Sequence, residues 1–263
     1  MNHFFAVFLA YLDKNGEYCN LKPFFILYQM KQLTLILLLI ALTTGGAGAQ
    51  TQECQDKMPQ GFVVLSDVVP DVIQEIRYHS TYNFVGTRVD GYEEPVALIT
   101  RQAAEALKAV NSELMAQGYR IKVYDTYRPQ RAVSHFVRWA KAVSDTLTKQ
   151  SFYPGVDKRL LFKLGFIASK SGHSRGSTID LTLVHAQSGK EVDMGGVFDY
   201  FGQLSHPSYQ QITKEQKSNR MLLRRVMMKH GFAPLSTEWW HFTLKNEPYP
   251  NTYFDFPIRY YKQ

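Results

Sequence analysis

Five residues in three short segments have the types that metal-dependent hydrolysis requires. His173 and Asp180 lie in SGHSRGSTID, Glu238 and His241 in EWWHF, and Arg128 in DTYRP. A catalytic zinc ion takes three His or carboxylate ligands and leaves a fourth position for water, and His173, Asp180 and His241 can be these ligands. Glu238 can take a proton from the water, and Arg128 can stabilise the oxyanion that forms on the attacked carbonyl.

The spacing of these residues constrains the local structure. Glu238 and His241 are three positions apart, and in one regular strand their side chains would face opposite ways because side chains alternate. We therefore expect Glu238 to precede the strand or a bulge to intervene. Each residue alone also has an ordinary structural interpretation: His173 as a turn residue, Glu238 as a surface acid, Arg128 as an ion-pair partner. The combination is what favours a metal site.

The elements around these segments predict an α+β fold. Their order favours a single domain with a small central antiparallel sheet flanked by helices, and a zinc site in a cleft on the sheet. The sequence predicts three helices. The first is capped by Thr100 and ended by Gly118, and the second begins at about Arg131 and includes Val143 and Leu147. The third begins with a Thr213–Gln216 capping box and is ended by Gly231. Extended signals cover Ile121–Tyr127, Thr178–Val184 and Trp239–Leu244.

Composition excludes several classes of protein. The 263 residues are 45% hydrophobic and 20% charged, which argues against disorder. Two cysteines exclude a disulfide-rich miniprotein and a four-cysteine zinc site. The formal net charge is +7, but the Lys and Arg residues are scattered and form no nucleic-acid-binding motif, so no nucleic-acid partner is expected.

The N-terminal 49 residues have the layout of an extension followed by a secretory signal. The apolar run Leu33–Leu42 follows Lys31, and Ala47-Gly48-Ala49 supplies small residues for a signal peptidase. Met30 stands where a start would be expected, so either Met1 or Met30 can be the true start. We expect cleavage before Gln50, a secreted or periplasmic protein, a domain over residues 50–263 and no stable membrane insertion. The alternative is an uncleaved N-terminal anchor.

Several segments together resemble a known enzyme family. The stretches DTYRPQRAV, SGHSRGSTIDLTL and EWWHF, in this order along the chain, resemble zinc-dependent D-alanyl-D-alanine dipeptidases of the vancomycin-resistance type, and the similarity covers nearly all of the chain after the signal. The resemblance implies one Zn²⁺ per chain on His173, Asp180 and His241. It also implies that Glu238 is the general base and acid and that Arg128 stabilises the transition state.

The resemblance further implies contacts to the two ends of a dipeptide substrate. Tyr78 and Asp199 fall where the family contacts the amino end, and Ser171 where it contacts the carboxylate end. Asp199 is equally compatible with a turn or cap aspartate. The implied function is hydrolysis of D-Ala-D-Ala by a zinc-bound water in cell-wall peptide turnover. The alternatives are a D,D-carboxypeptidase acting on longer wall peptides and a non-catalytic wall-binding module. The resistance enzymes are cytoplasmic, so the secretion signal is a departure from the family pattern.

Overall fold

The computed structural model describes residues 57–261 and two short strands nearer the N-terminus, β1 (Tyr11–Leu12) and β2 (Tyr18–Cys19). The chain divides into two compact units, Met1–Asp56 and Lys57–Gln263. In the first unit, β1 and β2 pair in antiparallel orientation. The predicted signal and its cleavage site lie outside the described residues. Within the described residues, no helix combines the length and apolar composition that crossing a membrane requires.

A five-stranded sheet forms the centre of the second unit. Its strands are β4 (Ile73–Gln74), β6 (Tyr119–Asp125), β7 (Thr178–His185), β8 (Phe232–Pro234) and β9 (His241–Leu244). They lie in the order β4-β6-β7-β9-β8, and every neighbouring pair is antiparallel except β4 and β6, which are parallel. The expected antiparallel sheet is therefore mixed at one edge, where the short β4 pairs with β6.

Helices and a smaller strand pair complete this unit, as the α+β prediction expected. The strands β3 (Phe62–Val64) and β5 (Leu98–Thr100) pair in antiparallel orientation. The helices are α1 (Leu65–Val68), α2 (Arg101–Met115), α3 (Gln130–Lys141), α4 (Lys149–Phe152) and α5 (Lys214–Lys229). Single 3₁₀ turns cover Arg77–His79, Lys158–Leu160, Gly172–Arg175 and Gln203–Ser205.

The long helices follow the apolar periodicity of the sequence, but their caps differ. On α2, the buried side chains recur at helical spacing, as predicted. The hydroxyl of Thr100 does not cap this helix, because it is hydrogen-bonded to Ser177 Oγ at 2.7 Å instead. At the start of α5, the predicted capping box is present: Thr213 Oγ1 accepts from Gln216 N, and Gln216 Oε1 accepts from Thr213 N.

The prediction that the α3 helix includes Val143 and Leu147 is wrong. The helix ends at Lys141, and the two side chains are 44% and 77% exposed. The chain leaves helical geometry at Ala142 (φ −79°, ψ 74°). Beyond it, the carbonyl of Asp145 accepts hydrogen bonds from Lys158 Nζ (2.7 Å) and the Tyr153 hydroxyl (3.3 Å). These long-range donors replace the bonds that another helical turn would have made.

Candidate active site

Three elements bring the predicted metal ligands together. His173 lies in the 3₁₀ turn Gly172–Arg175, and Asp180 lies in β7, which begins just after that turn. His241 is the first residue of β9 and pairs directly with Asp180 across the two strands. Residues directly opposite each other in antiparallel strands point to the same face. The fold therefore places the three side chains at one point on the sheet.

The possible ligand atoms of these residues lie within 4.8 Å of one another. His173 Nε2 is 3.2 Å from Asp180 Oδ2, and His241 Nδ1 is 3.0 Å from Asp180 Oδ1. The two ring nitrogens are 3.3 Å apart. Asp180 Oδ1 is buried and has no donor in hydrogen-bonding geometry. A buried carboxylate oxygen without a donor is unfavourable, so the donor set fits a divalent cation.

Hydrogen bonds and charges prepare these side chains for a cation. The Thr126 carbonyl accepts a hydrogen bond from His173 Nδ1 at 2.6 Å, which leaves Nε2 with its lone pair facing the cluster. Burial opposes the charge of Asp180, but His173 and His241 outweigh it and hold the pKa of this carboxyl well below its usual value. Burial also opposes the charge of His241, but Asp180 raises the pKa of this imidazole.

Glu238 lies beside the cluster without being part of it. It precedes β9, which begins at His241, so the expectation that Glu238 lies outside the regular strand is confirmed. Its Oε2 is 3.5 Å from His241 Nδ1. Burial raises the pKa of Glu238, and the nearby His241 partly offsets this effect. The carboxylate thus faces the cluster with a raised proton affinity.

A β-bulge brings a further carboxylate, Asp125, to the same face. In β6, Val123 pairs with Leu181, but Asp125 pairs with Asp180, so the register shifts by one residue between them. In a regular strand Asp125 would face away from Asp180, because side chains alternate. The bulge turns Asp125 toward the cluster, where its Oδ2 is 3.4 Å from His173 Nδ1.

Arg128 is held at the cluster by Asp125. Its Nε donates to Asp125 Oδ2 at 2.8 Å, and its Nη2 forms an ion pair with the same oxygen at 2.8 Å. Nη2 is also 3.5 Å from Asp180 Oδ2. The guanidinium carbon lies over the rings of Tyr78 and Phe136, at 4.9 and 5.1 Å from their centroids. Burial opposes the charge of Arg128, but the nearby Tyr78 and Asp125 outweigh it and raise the pKa of this group. Arg128 is therefore a fixed cation.

All eight residues that the sequence singled out line one cavity of about 260 Å³: Tyr78, Arg128, Ser171, His173, Asp180, Asp199, Glu238 and His241. This volume lies near the lower end of ligand pockets, about 300 Å³, and suits a small ligand. Their individual roles stay predictions.

The residues predicted to contact substrate line this cavity near the metal cluster. The Tyr78 hydroxyl donates to Asp199 Oδ2 at 2.8 Å, and both side chains are buried. Burial raises the pKa of Asp199, and the charge of Asp180 adds to the shift. Ser171 Oγ accepts from His173 N at 3.3 Å and caps the turn that carries this histidine.

Asp125 is the site residue that sequence reasoning missed. It is buried, and besides Arg128 it accepts a hydrogen bond from the Tyr92 hydroxyl at 2.7 Å. Burial raises the pKa of Asp125, and Arg128 and His173 oppose the shift. An acid three residues before Arg128 in DTYRP was the available signal, but its orientation depends on the bulge.

Comparison with known proteins gives a consistent family assignment. Residues 58–259 match the family described as D-ala-D-ala dipeptidase. A D-alanyl-D-alanine dipeptidase of Enterococcus faecium is 43% identical over 202 residues, which are 77% of this chain and all of that protein. The proteins of the same name from Enterococcus faecalis and Streptomyces coelicolor are 41% and 39% identical over 201 residues, 76% of this chain and all of each relative.

Proposed function

Since the chain belongs to the D-Ala-D-Ala dipeptidase family of metallopeptidases, we propose that it hydrolyses D-Ala-D-Ala with one zinc ion. His173, Asp180 and His241 would hold the ion. The observation that carries the proposal is the convergence of their ligand atoms within 4.8 Å, in a cavity that Glu238 and Arg128 also line.

The donor set supports zinc in particular. Two imidazole nitrogens and one carboxylate are ligands that zinc takes in catalytic sites, with one coordination position left open. When bound, zinc lowers the pKa of a water molecule and polarises the carbonyl of the scissile bond. The buried Asp180 Oδ1, which lacks a hydrogen-bond donor, supports a cation at this place.

Glu238 and Arg128 supply the proton transfer and the charge stabilisation. The Glu238 carboxylate takes a proton from the attacking water and returns it to the leaving amine. Its raised pKa brings it nearer to neutral pH, where a general base and acid works best. The Arg128 guanidinium stabilises the negative charge that develops on the attacked carbonyl oxygen. Asp125 fixes that guanidinium through a hydrogen bond from Nε and an ion pair with Nη2, both to Asp125 Oδ2.

The same cavity has groups for both ends of a free dipeptide. The buried Asp199 carboxylate and the Tyr78 hydroxyl bind the substrate ammonium, because a buried ammonium needs an anion or acceptor as partner. Ser171, which caps the turn that carries His173, contacts the substrate carboxylate. The ammonium in turn gives Asp199 a counter-charge.

The competing function is that of a D,D-carboxypeptidase, which acts on longer wall peptides. A second cavity of about 440 Å³ borders the first, since Asp199 and Glu238 line both, and it offers room for such a peptide. A longer peptide has no ammonium at the position of Asp199, and it would leave this buried carboxylate without a counter-charge. This argument favours the free dipeptide. A non-catalytic wall-binding module would have no use for the proton transfer by Glu238.

The cell-wall role and the location depend on the N-terminal segment. Lys31, the apolar run after it and the small residues before Gln50 support a cleaved secretory signal. We infer a secreted or periplasmic enzyme that meets peptide fragments of the wall, with a role in wall peptide turnover.

The decisive experiment compares two substrates. Zinc-loaded protein is incubated with D-Ala-D-Ala and with a wall pentapeptide ending in D-Ala-D-Ala, and D-Ala release is measured. We expect faster hydrolysis of the dipeptide, loss of activity with a chelator and recovery with zinc. Absence of hydrolysis would refute the proposal, and faster release from the pentapeptide would support the carboxypeptidase instead.

A further inference from the structure

The backbone around Asp199 has an unusual conformation. We call residues Met194–His206 the Asp199 segment. Asp199 has φ 61°, and it is the non-glycine residue with positive φ among the described residues. Such a conformation is uncommon for a residue with a side chain, and it persists only where the surrounding structure enforces it. Some contact outside the segment must therefore hold it.

Arg220, on helix α5, connects the two ends of the Asp199 segment. Its Nε donates to the Met194 carbonyl at 2.5 Å. Nη2 donates to the Leu204 carbonyl and Nη1 to the His206 carbonyl, both at 3.0 Å. Arg220 is 4% exposed. Its guanidinium therefore closes a loop of backbone with Asp199 near the middle.

Only an arginine can make this set of bonds. Its guanidinium has three nitrogens in a rigid plane, so it can donate in three directions at once, whereas a lysine ammonium is a single point. The packing around it is tight: a Cβ added at Gly196 would lie 3.2 Å from Arg220 Nη2 and 3.0 Å from Leu204 Cγ. The guanidinium thus fills the space within the loop as well as bonding to it.

Trp239 supports the same arrangement from the side of Glu238. Its ring centroid is 5.6 Å from the guanidinium carbon of Arg220. Its backbone nitrogen donates to the Ser205 carbonyl at 2.9 Å. The residue after the proposed general base is therefore attached both to the Asp199 segment and to Arg220.

We propose that Arg220 is a positioning residue, which fixes Asp199 where the ammonium group of the substrate binds. The inference rests on the proposed function, because it assigns the amino end of the dipeptide to Asp199. Arg220 touches no reacting atom in this account. It acts through the backbone carbonyls of Met194, Leu204 and His206.

Kinetics of Arg220→Ala and Arg220→Lys test this role. We expect KM for D-Ala-D-Ala to rise at least about tenfold in Arg220→Ala, roughly the loss of one hydrogen bond to a charged group. Zinc content and kcat should change far less. Arg220→Lys should also raise KM. If Arg220→Ala does not fold, the KM of Arg220→Lys decides the test. Arg224→Ala, one turn further along α5, is the matched control and should leave KM unchanged.

Chemical rescue adds a second readout. Arg220 also lines a cavity of about 310 Å³ whose lining includes the exposed Met221, so a small cation can reach the space that Arg220→Ala vacates. Guanidinium chloride at low concentration should lower the KM of this variant and leave that of Arg220→Lys unchanged. If guanidinium restores neither the KM of Arg220→Ala nor the protection of the Asp199 segment against amide hydrogen exchange, the result counts against the proposal.

A double-mutant cycle separates positioning from general structural support. Asp199→Asn should raise KM by itself, and Arg220→Ala should add less than about twofold in that background, because contacts that act through one group are not additive. A full additional effect in the Asp199→Asn background, or an effect confined to kcat and zinc content, would overturn the inference.

Hydrogen exchange keeps this test separate from the test of the proposed function. Amide exchange in the Asp199 segment should accelerate in Arg220→Ala and not in Arg224→Ala, whatever the substrate. If the unaltered protein does not hydrolyse D-Ala-D-Ala, the proposed function fails, while exchange still decides whether Arg220 holds the segment. If the unaltered protein is active and neither KM nor exchange responds, the inference fails alone.

Discussion

Replacing Asp125 by Asn tests how the guanidinium of Arg128 is held in the site. Asp125 is 1% exposed, and its Oδ2 accepts a hydrogen bond from Arg128 Nε and pairs with Arg128 Nη2, both at 2.8 Å. Its Oδ1 accepts from the Tyr92 hydroxyl at 2.7 Å. An amide has the same shape but only one acceptor oxygen. In Asp125→Asn, either Arg128 or Tyr92 therefore meets an NH₂ group in place of an acceptor.

The expected cost follows from these contacts. A hydrogen bond to a charged group is worth about 1.5–3 kcal/mol, and breaking a buried ion pair from one side costs about 3–5 kcal/mol. Because the amide still accepts one bond, we expect the free energy of unfolding to fall by about 2–4 kcal/mol. Asp255→Asn is the matched control. Asp255 pairs with Arg131 at 3.0 Å, but both side chains are nearly half exposed, so its loss should cost less than about 1 kcal/mol.

Urea unfolding of the zinc-free proteins measures this difference, since bound zinc would add its own binding energy to the folded state. Catalysis should fall as well, because the remaining acid close to Arg128 is Asp180 at 3.5 Å, and a guanidinium drawn toward it leaves its working position. Displacement by about 1 Å can cost on the order of a hundredfold in rate. Equal unfolding free energies for Asp125→Asn and Asp255→Asn would refute this reasoning.

Further predictions concern the metal, the fold and the N-terminus. His173→Ala, Asp180→Ala and His241→Ala should each lower bound zinc far below one per chain, because three ligands leave no redundancy; full zinc in all three by elemental analysis would place the site elsewhere. Thr213→Ala should lower the free energy of unfolding by about 1 kcal/mol through loss of the capping box, and an unchanged urea midpoint would contradict this. The secreted protein should begin at or near Gln50 in mass spectrometry, and a longer N-terminus would argue for an anchor.

Local sequence signals were sufficient for the parts of the site that depend on neighbouring residues. The small residues around His173 predict a turn, and the turn leads into the strand that carries Asp180. The three-residue spacing of Glu238 and His241 predicts that Glu238 precedes the strand or that a bulge intervenes, and Glu238 does precede the strand. In each case the alternation of side chains or the turn chemistry acts over a few residues.

Features that depend on distant contacts could not be predicted in this way. The bulge that turns Asp125 toward Asp180 arises where β6 pairs with β7. Side-chain alternation along β6 alone would place Asp125 on the opposite face of the sheet. The hydroxyl of Thr100 bonds to Ser177 across the fold, although its position suggests a helix cap. The same holds for Arg220, whose three acceptors are 14 to 26 residues away.

The central claim is that Glu238 moves the proton while the metal is held by other residues. The most direct measurement is bound zinc and kcat for D-Ala-D-Ala in Glu238→Gln, with Glu191→Gln, an acid outside the cavity lining, as the control. An amide cannot accept a proton at neutral pH, so Glu238→Gln should keep one zinc per chain while kcat falls at least about a hundredfold. Loss of zinc in this variant would make Glu238 a ligand, and full zinc with normal turnover would contradict the mechanism.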